Sequence, residues 1–282
     1  MWTRYSCCSL WLVVAMATVV GAAEIALPVA EPIVEGVSSV SEFAPGQPFY
    51  AGVRWRLPEG WHLYWQNPGD SGMAPQIEWI VPSNVQVGAV LWPAPSRFKE
   101  GEYATFGYTG TVMLVAPIAV GDAWPSDREL ELKIATRWLL CADTCVPGST
   151  QLTVTLRCAP QPSPSTNAPA IYAILRRLPR SWPRIAASAK LSSTTAWIRV
   201  TGLSGLRPGY LYPREEGLWP AGYDLTWNGV GEEWHTVVPL GLRRPWPERI
   251  QAVLELPEQG AAVMIDIITI RDIFPNRKES SP

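Results

Sequence analysis

The sequence predicts an all-β protein: two antiparallel β-sandwich domains joined by a proline-rich linker and a short helix. Three observations carry that expectation. The 282 residues are 47% hydrophobic and 17% charged, enough apolar content for a packed core in a chain long enough for two domains. Short apolar stretches recur in alternation with polar residues, each bounded by Gly, Pro, Asn or Asp. The chain also holds 28 Pro and 15 Trp, which disfavour long helices and suit half-buried sheets.

Taken in order, the N-terminus carries Arg4, an apolar run from Leu10 to Val20, and the small residues Gly21-Ala22-Ala23 before Glu24. This reads as a secretory signal peptide over residues 1–23, cleaved on export. The run is short for a transmembrane helix, and no later stretch is long and apolar enough to span a bilayer, so no membrane span is expected in the mature chain. Cys7 and Cys8 leave with the signal, and Cys141, Cys145 and Cys158 remain. Export to an oxidising compartment makes disulfide chemistry possible for them.

Residues 24–158 are expected to form the first domain. Phe49, Ala51, Val53 and Trp55 alternate within Gln47 to Leu57. Further strands are expected from Trp61 to Gln66, Gln76 to Ile80, Val85 to Leu91, Thr111 to Val120, Leu130 to Leu140 and Thr150 to Arg157. Residues 159–181 read as linker and helix. Pro160, Pro162 and Pro164 mark the linker, and Ile171, Ile174, Leu175 and Leu178 then share one helical face until Pro179. Residues 182–275 are expected to be the second sandwich. Its strands run from Ala196 to Val200, Tyr210 to Tyr212, Trp234 to Leu240, Ile250 to Leu256 and Ala262 to Ile270. Residues 276–282 form a tail.

A formal net charge of −2 argues against a nucleic-acid binder, which needs a basic surface. His62 and His235 are the only histidines, so a three-histidine metal site is excluded. No cofactor and no metal are expected.

The chemistry concentrates between Arg137 and Gly148. Cys141 and Cys145 are four positions apart, which on a straight strand is about 13 Å, too far for a disulfide. They can pair only if Ala142-Asp143-Thr144 turns, and Asp favours a turn. So short a loop removes little chain entropy, which makes the pair a weak staple. Redox and structural roles both stay open on these grounds. Asp143 is either a turn residue or a nearby charge that disfavours a thiolate or relays a proton. Cys158 is either a leftover thiol or one that pairs between chains. A carrier of a soft metal such as copper(I) on Cys141, Cys145 and Cys158 would need all three close together.

Tyr64-Trp65-Gln66-Asn67-Pro68-Gly69-Asp70-Ser71-Gly72, Leu91-Trp92-Pro93-Ala94-Pro95-Ser96-Arg97-Phe98 and Trp138-Leu139-Leu140-Cys141-Ala142-Asp143-Thr144-Cys145-Val146-Pro147-Gly148 occur in this order. Over about residues 35–158 they resemble the periplasmic N-terminal (alpha) region of the DsbD/ScsB thiol:disulfide interchange proteins, in particular the ScsB-like branch. The second half resembles the further immunoglobulin-like domain of the longer branch less specifically.

The resemblance implies an immunoglobulin-like sandwich whose pair, here Cys141 and Cys145, cycles between dithiol and disulfide. It implies a cap loop at Pro95 to Gly101 with Phe98 as the shielding aromatic, and an active-site lining to which Tyr64, and beside it His62, contribute. The implied partners are periplasmic thioredoxin-like proteins. A separate membrane electron carrier is implied too, because the family's membrane domain and thioredoxin-like C-terminal domain have no counterpart here. The spacer between the cysteines is shorter than in better-known members, so their redox potential does not transfer. The expected function is periplasmic thiol–disulfide exchange, with protein-disulfide reductase as the activity class. The alternative is a Trp-rich binding or adaptor module whose disulfide is only structural.

Overall fold

Alternation of apolar and polar residues becomes strand at nearly every stretch where the sequence shows it. The computed structural model describes residues 31–270, so the expected signal peptide and tail lie outside the described residues. The first half contains β1 (Ile33–Ser38), β2 (Val40–Phe43), β3 (Phe49–Arg56), β4 (His62–Gly69), β5 (Gln76–Ile80) and β6 (Val85–Val87). It continues with β7 (Ser96–Glu100), β8 (Tyr103–Thr109), β9 (Thr111–Val120), β10 (Leu130–Cys141) and β11 (Cys145–Cys158). The connection holds β12 (Ser163–Pro164) and helix α1 (Ala168–Arg177). The second half contains β13 (Arg180–Ser181), β14 (Ala186–Leu191), β15 (Thr195–Thr201), β16 (Leu211–Pro213), β17 (Asn228–Val230), β18 (Glu233–Pro239), β19 (Arg249–Leu256) and β20 (Ala261–Ile270).

The fold is all-β and immunoglobulin-like. In the first half, a sheet ordered β1-β3-β9-β6 faces a longer one ordered β12-β2-β11-β10-β4-β8-β7, with β5 on β10. Between them lie Val53 and Trp55 of β3, Leu114 of β9, Leu63 and Trp65 of β4, and Trp138 of β10, all buried. Trp55 and Trp138 meet edge to face with ring centres 6.3 Å apart, a favourable aromatic geometry. In the second half one continuous sheet, β16-β19-β20-β14-β15-β18-β17, encloses a core that includes Ile198, Val200, Leu254 and Ile267.

Several details depart from the sequence expectation. The strand expected through Leu91 ends at Val87, ahead of Gly88, and Leu91 makes only an isolated bridge to Val115. β11 begins at Cys145, not Thr150. It pairs with β2 only at Arg157 and Cys158, so around Pro147 its far edge is free and the missing proline N–H costs little. Three pairings, β2 with β11, β13 with β20 and β14 with β20, run parallel because their partners come from distant parts of the chain rather than from hairpins.

Helix α1 places Ile171 in a buried cluster with Val37, Met113 and Val115, with Ile174 and Leu175 packed beside it. It therefore covers the outer face of β1 and β9. Leu178 is extended, as the residue before a proline tends to be. The two halves share buried surface: Tyr212, Ala221 and Val253 belong to the same apolar cluster as Trp65 and Phe106.

Candidate functional site

The longest hairpin among the described residues ends at the two cysteines. β10 and β11 stay in register from Leu130 opposite Leu156 to Cys141 opposite Cys145. Ala142 N donates to Thr144 O at 3.0 Å, so the Ala-Asp-Thr link is a tight turn, as the spacing requires. The Cα atoms of Cys141 and Cys145 come to 4.1 Å and the sulfurs are bonded. The two cysteines are not equivalent. Cys141 is 2% exposed, whereas Cys145 faces solvent.

β4 runs along the other side of β10, with His62 opposite Cys141 and Leu63 opposite Leu140. That register brings Tyr64 under the disulfide. Its buried hydroxyl donates to Cys141 Sγ at 2.8 Å and lies 3.6 Å from Cys145 Sγ. Gly72 leaves room for the ring. Its φ is +106°, and a Cβ there would stand 2.1 Å from a Tyr64 ring carbon. His62 sits edge-on to Tyr64 at 5.1 Å and stacks on Phe98 at 4.8 Å with an 18° interplanar angle. Thr105 Oγ1 approaches His62 Nε2 at 3.5 Å. An unbroken run of contacts thus leads from Phe98 through His62 and Tyr64 to Cys141.

Burial raises the Tyr64 hydroxyl above its usual pKa of 10.0, and the negative charge of Glu100 adds to this, so Tyr64 remains a donor at neutral pH. Burial lowers the His62 imidazole below 6.5, with Glu100 opposing the shift. His62 is therefore neutral at pH 7. Well above pH 6.5 neither folded nor unfolded His62 holds a proton and the shift has no effect. As pH falls below about 6.5 the unfolded chain takes up a proton first, and the fold loses stability. The unfolding midpoint should drop more between pH 7 and 5 in the native chain than in His62→Gln. Parallel pH profiles for the two would refute this.

Residues 30–157 match the family described as "Thiol:disulfide interchange protein DsbD, N-terminal". Residues 30–157 are a DsbD-type N-terminal domain. The match contains every paired residue of the β10–β11 hairpin, from Leu130 to Leu156, and both Tyr64 and Phe98. With the Cys141–Cys145 disulfide, it makes this a thiol–disulfide exchange domain. Among solved structures, the N-terminal periplasmic domain of ScsB from Proteus mirabilis matches with a TM-score of 0.62 and 18% identity, over 84% of this chain and 92% of its own. That likeness of fold extends beyond the DsbD-type domain into the second half. The major pilin subunit BcpA of Bacillus cereus gives a TM-score of 0.30 at 11% identity over 86% of this chain and 69% of its own, and carries no argument. The same holds for the periplasmic chaperone SfaE, at 0.23 and 10% over 84% of this chain and all of its own. No curated protein matches the sequence.

Within the DsbD-type domain, Asp143 lies exposed at the tip of the hairpin turn. Cys158 is a free, half-buried thiol at the far end of β11, about 40 Å of strand from Cys145. That separation removes the three-cysteine metal carrier, and among the described residues no group of three His, Cys, Asp or Glu side chains could hold a metal ion. The stretch expected as a cap loop is a paired strand: β7 forms a hairpin with β8, from Ser96 opposite Gly107 to Glu100 opposite Tyr103. Among the described residues, no helix is long and apolar enough to cross a membrane.

Four residues at the edge of this site escaped the sequence reading: Asn67, Asp70, Arg97 and Lys99 all reach across to the second half. Asn67 Nδ2 donates to Pro213 O at 2.8 Å, and Asp70 accepts from the backbone N–H groups of Ala104, Ala221 and Gly222 at 2.9, 2.7 and 2.7 Å. Asn67-Pro68-Gly69-Asp70 reads as an ordinary turn, and its partners in the second half lie 146 to 152 residues away in sequence.

Proposed function

We propose that the chain exchanges disulfides with partner proteins in the periplasm through Cys141 and Cys145. In this reading residues 24–158 are the redox domain, 159–181 the linker and helix, and 182–275 a second domain. The observation that carries it is the asymmetry of the pair: Cys145 open to solvent, Cys141 buried and bonded to the Tyr64 hydroxyl.

In the oxidised chain, a partner thiolate attacks Cys145 Sγ. A new sulfur–sulfur bond forms there, the Cys141–Cys145 bond breaks, and Cys141 leaves as a thiolate. Tyr64 donates to that developing charge, in a pocket where such a bond is stronger than in water. A second partner thiolate then releases the mixed disulfide, leaving the Cys141–Cys145 dithiol and an oxidised partner. In the delivery direction, the Cys145 thiolate attacks a partner disulfide. Cys141 resolves the mixed species, which re-forms the disulfide and reduces the partner by two electrons. Phe98, through His62 and Tyr64, covers the Cys141 side of the pair when no partner is docked, while Cys145 stays open.

The DsbD family match and the periplasmic origin of the ScsB domain support periplasmic residence after cleavage of residues 1–23. They also support thioredoxin-like partners and a separate membrane electron carrier as the source of electrons. The reduction potential of the pair in the exported chain tests the reading. A pair that equilibrates with a dithiol buffer supports exchange. A potential far below about −300 mV marks an inert structural bond and leaves the adaptor reading.

Tyr64→Phe tests the chemistry directly. A charge-assisted hydrogen bond is worth about 1.5–3 kcal/mol. Losing it should raise the Cys141 thiol pKa by about one to two units. The thiolate absorbance of the reduced chain, titrated with pH, reads the shift, and an unchanged curve removes Tyr64 from the chemistry.

A further inference from the structure

β7 presents alternate side chains to two different neighbours. Phe98 points to the redox site and stacks on His62. Arg97 and Lys99, on either side of it, point to the second half. Arg97 Nε donates to Ala221 O at 2.9 Å, its Nη1 pairs with Asp224 at 2.8 Å, and its guanidinium lies 4.5 Å over the Tyr210 ring. Lys99 pairs with the other oxygen of Asp224. Nearby, the backbone of Gly222 lies so close to the β7–β8 turn that a Cβ would stand 1.7 Å from Glu102 O. Asp70 fixes Ala221 and Gly222 from the other side.

We propose that the second half governs access to the buried, Cys141 side of the disulfide: the 221–224 segment braces β7 through Asp224, Arg97 and Lys99, and so sets how readily Phe98 swings away from His62 and opens Cys141 as a second point of attack. Asp224, Arg97 and Lys99 are positioning residues that never touch sulfur. The proposal deepens the shielding role given to Phe98 above and rests on it. A lone strand at the edge of its sheet would move freely, since β7 has β8 on one side only. Two ion pairs to one carboxylate hold it from the face opposite Phe98. Asp224 is exposed, with a side chain 64% accessible, so each pair is modest and salt-sensitive. That suits a latch that must release when a partner docks.

The test is the rate at which dithiothreitol reduces the oxidised full chain. Asp224→Ala should speed it about two- to fivefold, the range exposed ion pairs supply. Lys99→Ala should speed it by less, because Arg97 keeps its partner. Asp224→Glu should restore the native rate. Added salt should speed the native chain and leave Asp224→Ala unchanged. In a Phe98→Ala background, already fast, Asp224→Ala should add nothing. The reduction potential should be the same throughout, because a brace alters access in both directions equally. A native rate in both Asp224→Ala and Lys99→Ala, with Phe98→Ala fast, overturns the brace and leaves the shielding role standing. A native rate in Phe98→Ala overturns the shielding role and the brace with it.

Discussion

Cys141→Ser is expected to abolish disulfide exchange and to accumulate as a mixed disulfide through Cys145. The exposed thiol can still attack a partner, but the residue that would resolve the intermediate is gone. Cys145→Ser is expected to trap almost nothing. Of its two remaining thiols, Cys141 is 2% exposed, lies at the buried end of β10 and is hydrogen-bonded to Tyr64, and Cys158 stands at the far end of β11. Non-reducing electrophoresis and mass spectrometry of the exported variants would read the difference. Equal trapping by both variants would mean that a partner reaches Cys141 directly, and the order of attack given above would be wrong. Partner capture that survives loss of both cysteines would instead favour the adaptor reading.

Asp70→Ala should cost the fold about 2 to 3 kcal/mol. Its carboxylate takes three backbone N–H bonds, from Ala104 in the first half and from Ala221 and Gly222 in the second. Truncation leaves all three donors without that acceptor, and bonds to a charged group are worth about 1.5–3 kcal/mol each before water compensates. The total falls well short of three such bonds because Asp70 is itself exposed to solvent. Urea unfolding at pH 7 would measure the loss, and Asp70→Asn should recover part of it, since one carbonyl oxygen remains. A change below about 0.5 kcal/mol would show that these bonds merely replace water and do not tie the halves together.

How much of this was legible beforehand depends on where each strand buries its side chains. β3 and β10 each face one core, so their alternation is clean and their positions could be read directly. β8 shows the same alternation, with Ala104, Phe106 and Tyr108 buried in one apolar cluster, yet it was not among the expected strands, because Gly107 weakens so short a run. β7 carries Arg97, Lys99 and Glu100 and reads as a polar loop. It is held as strand by partners that no local pattern announces. The turn between Cys141 and Cys145 was legible, since four-residue spacing forbids a straight strand. The seat of Tyr64 beside Cys141 was suggested only by resemblance, because the His62–Cys141 register joins segments 79 residues apart. Gly72 gave no sign that its missing side chain makes room for the Tyr64 ring.

The two faces of β7 make its length matter more than its composition. Side chains on a strand change sides at every residue. One residue gained or lost ahead of Phe98 would turn the ring toward Asp224 and swing a cation over an imidazole that burial holds neutral. The same slip would take both charges away from Asp224, the carboxylate that they share in the second half. Single exchanges between Ser96 and Glu100 each disturb one neighbour, whereas an odd insertion or deletion disturbs both at once. Drift in this segment is therefore confined to replacing one side chain with another, and any indel it tolerates must come in pairs.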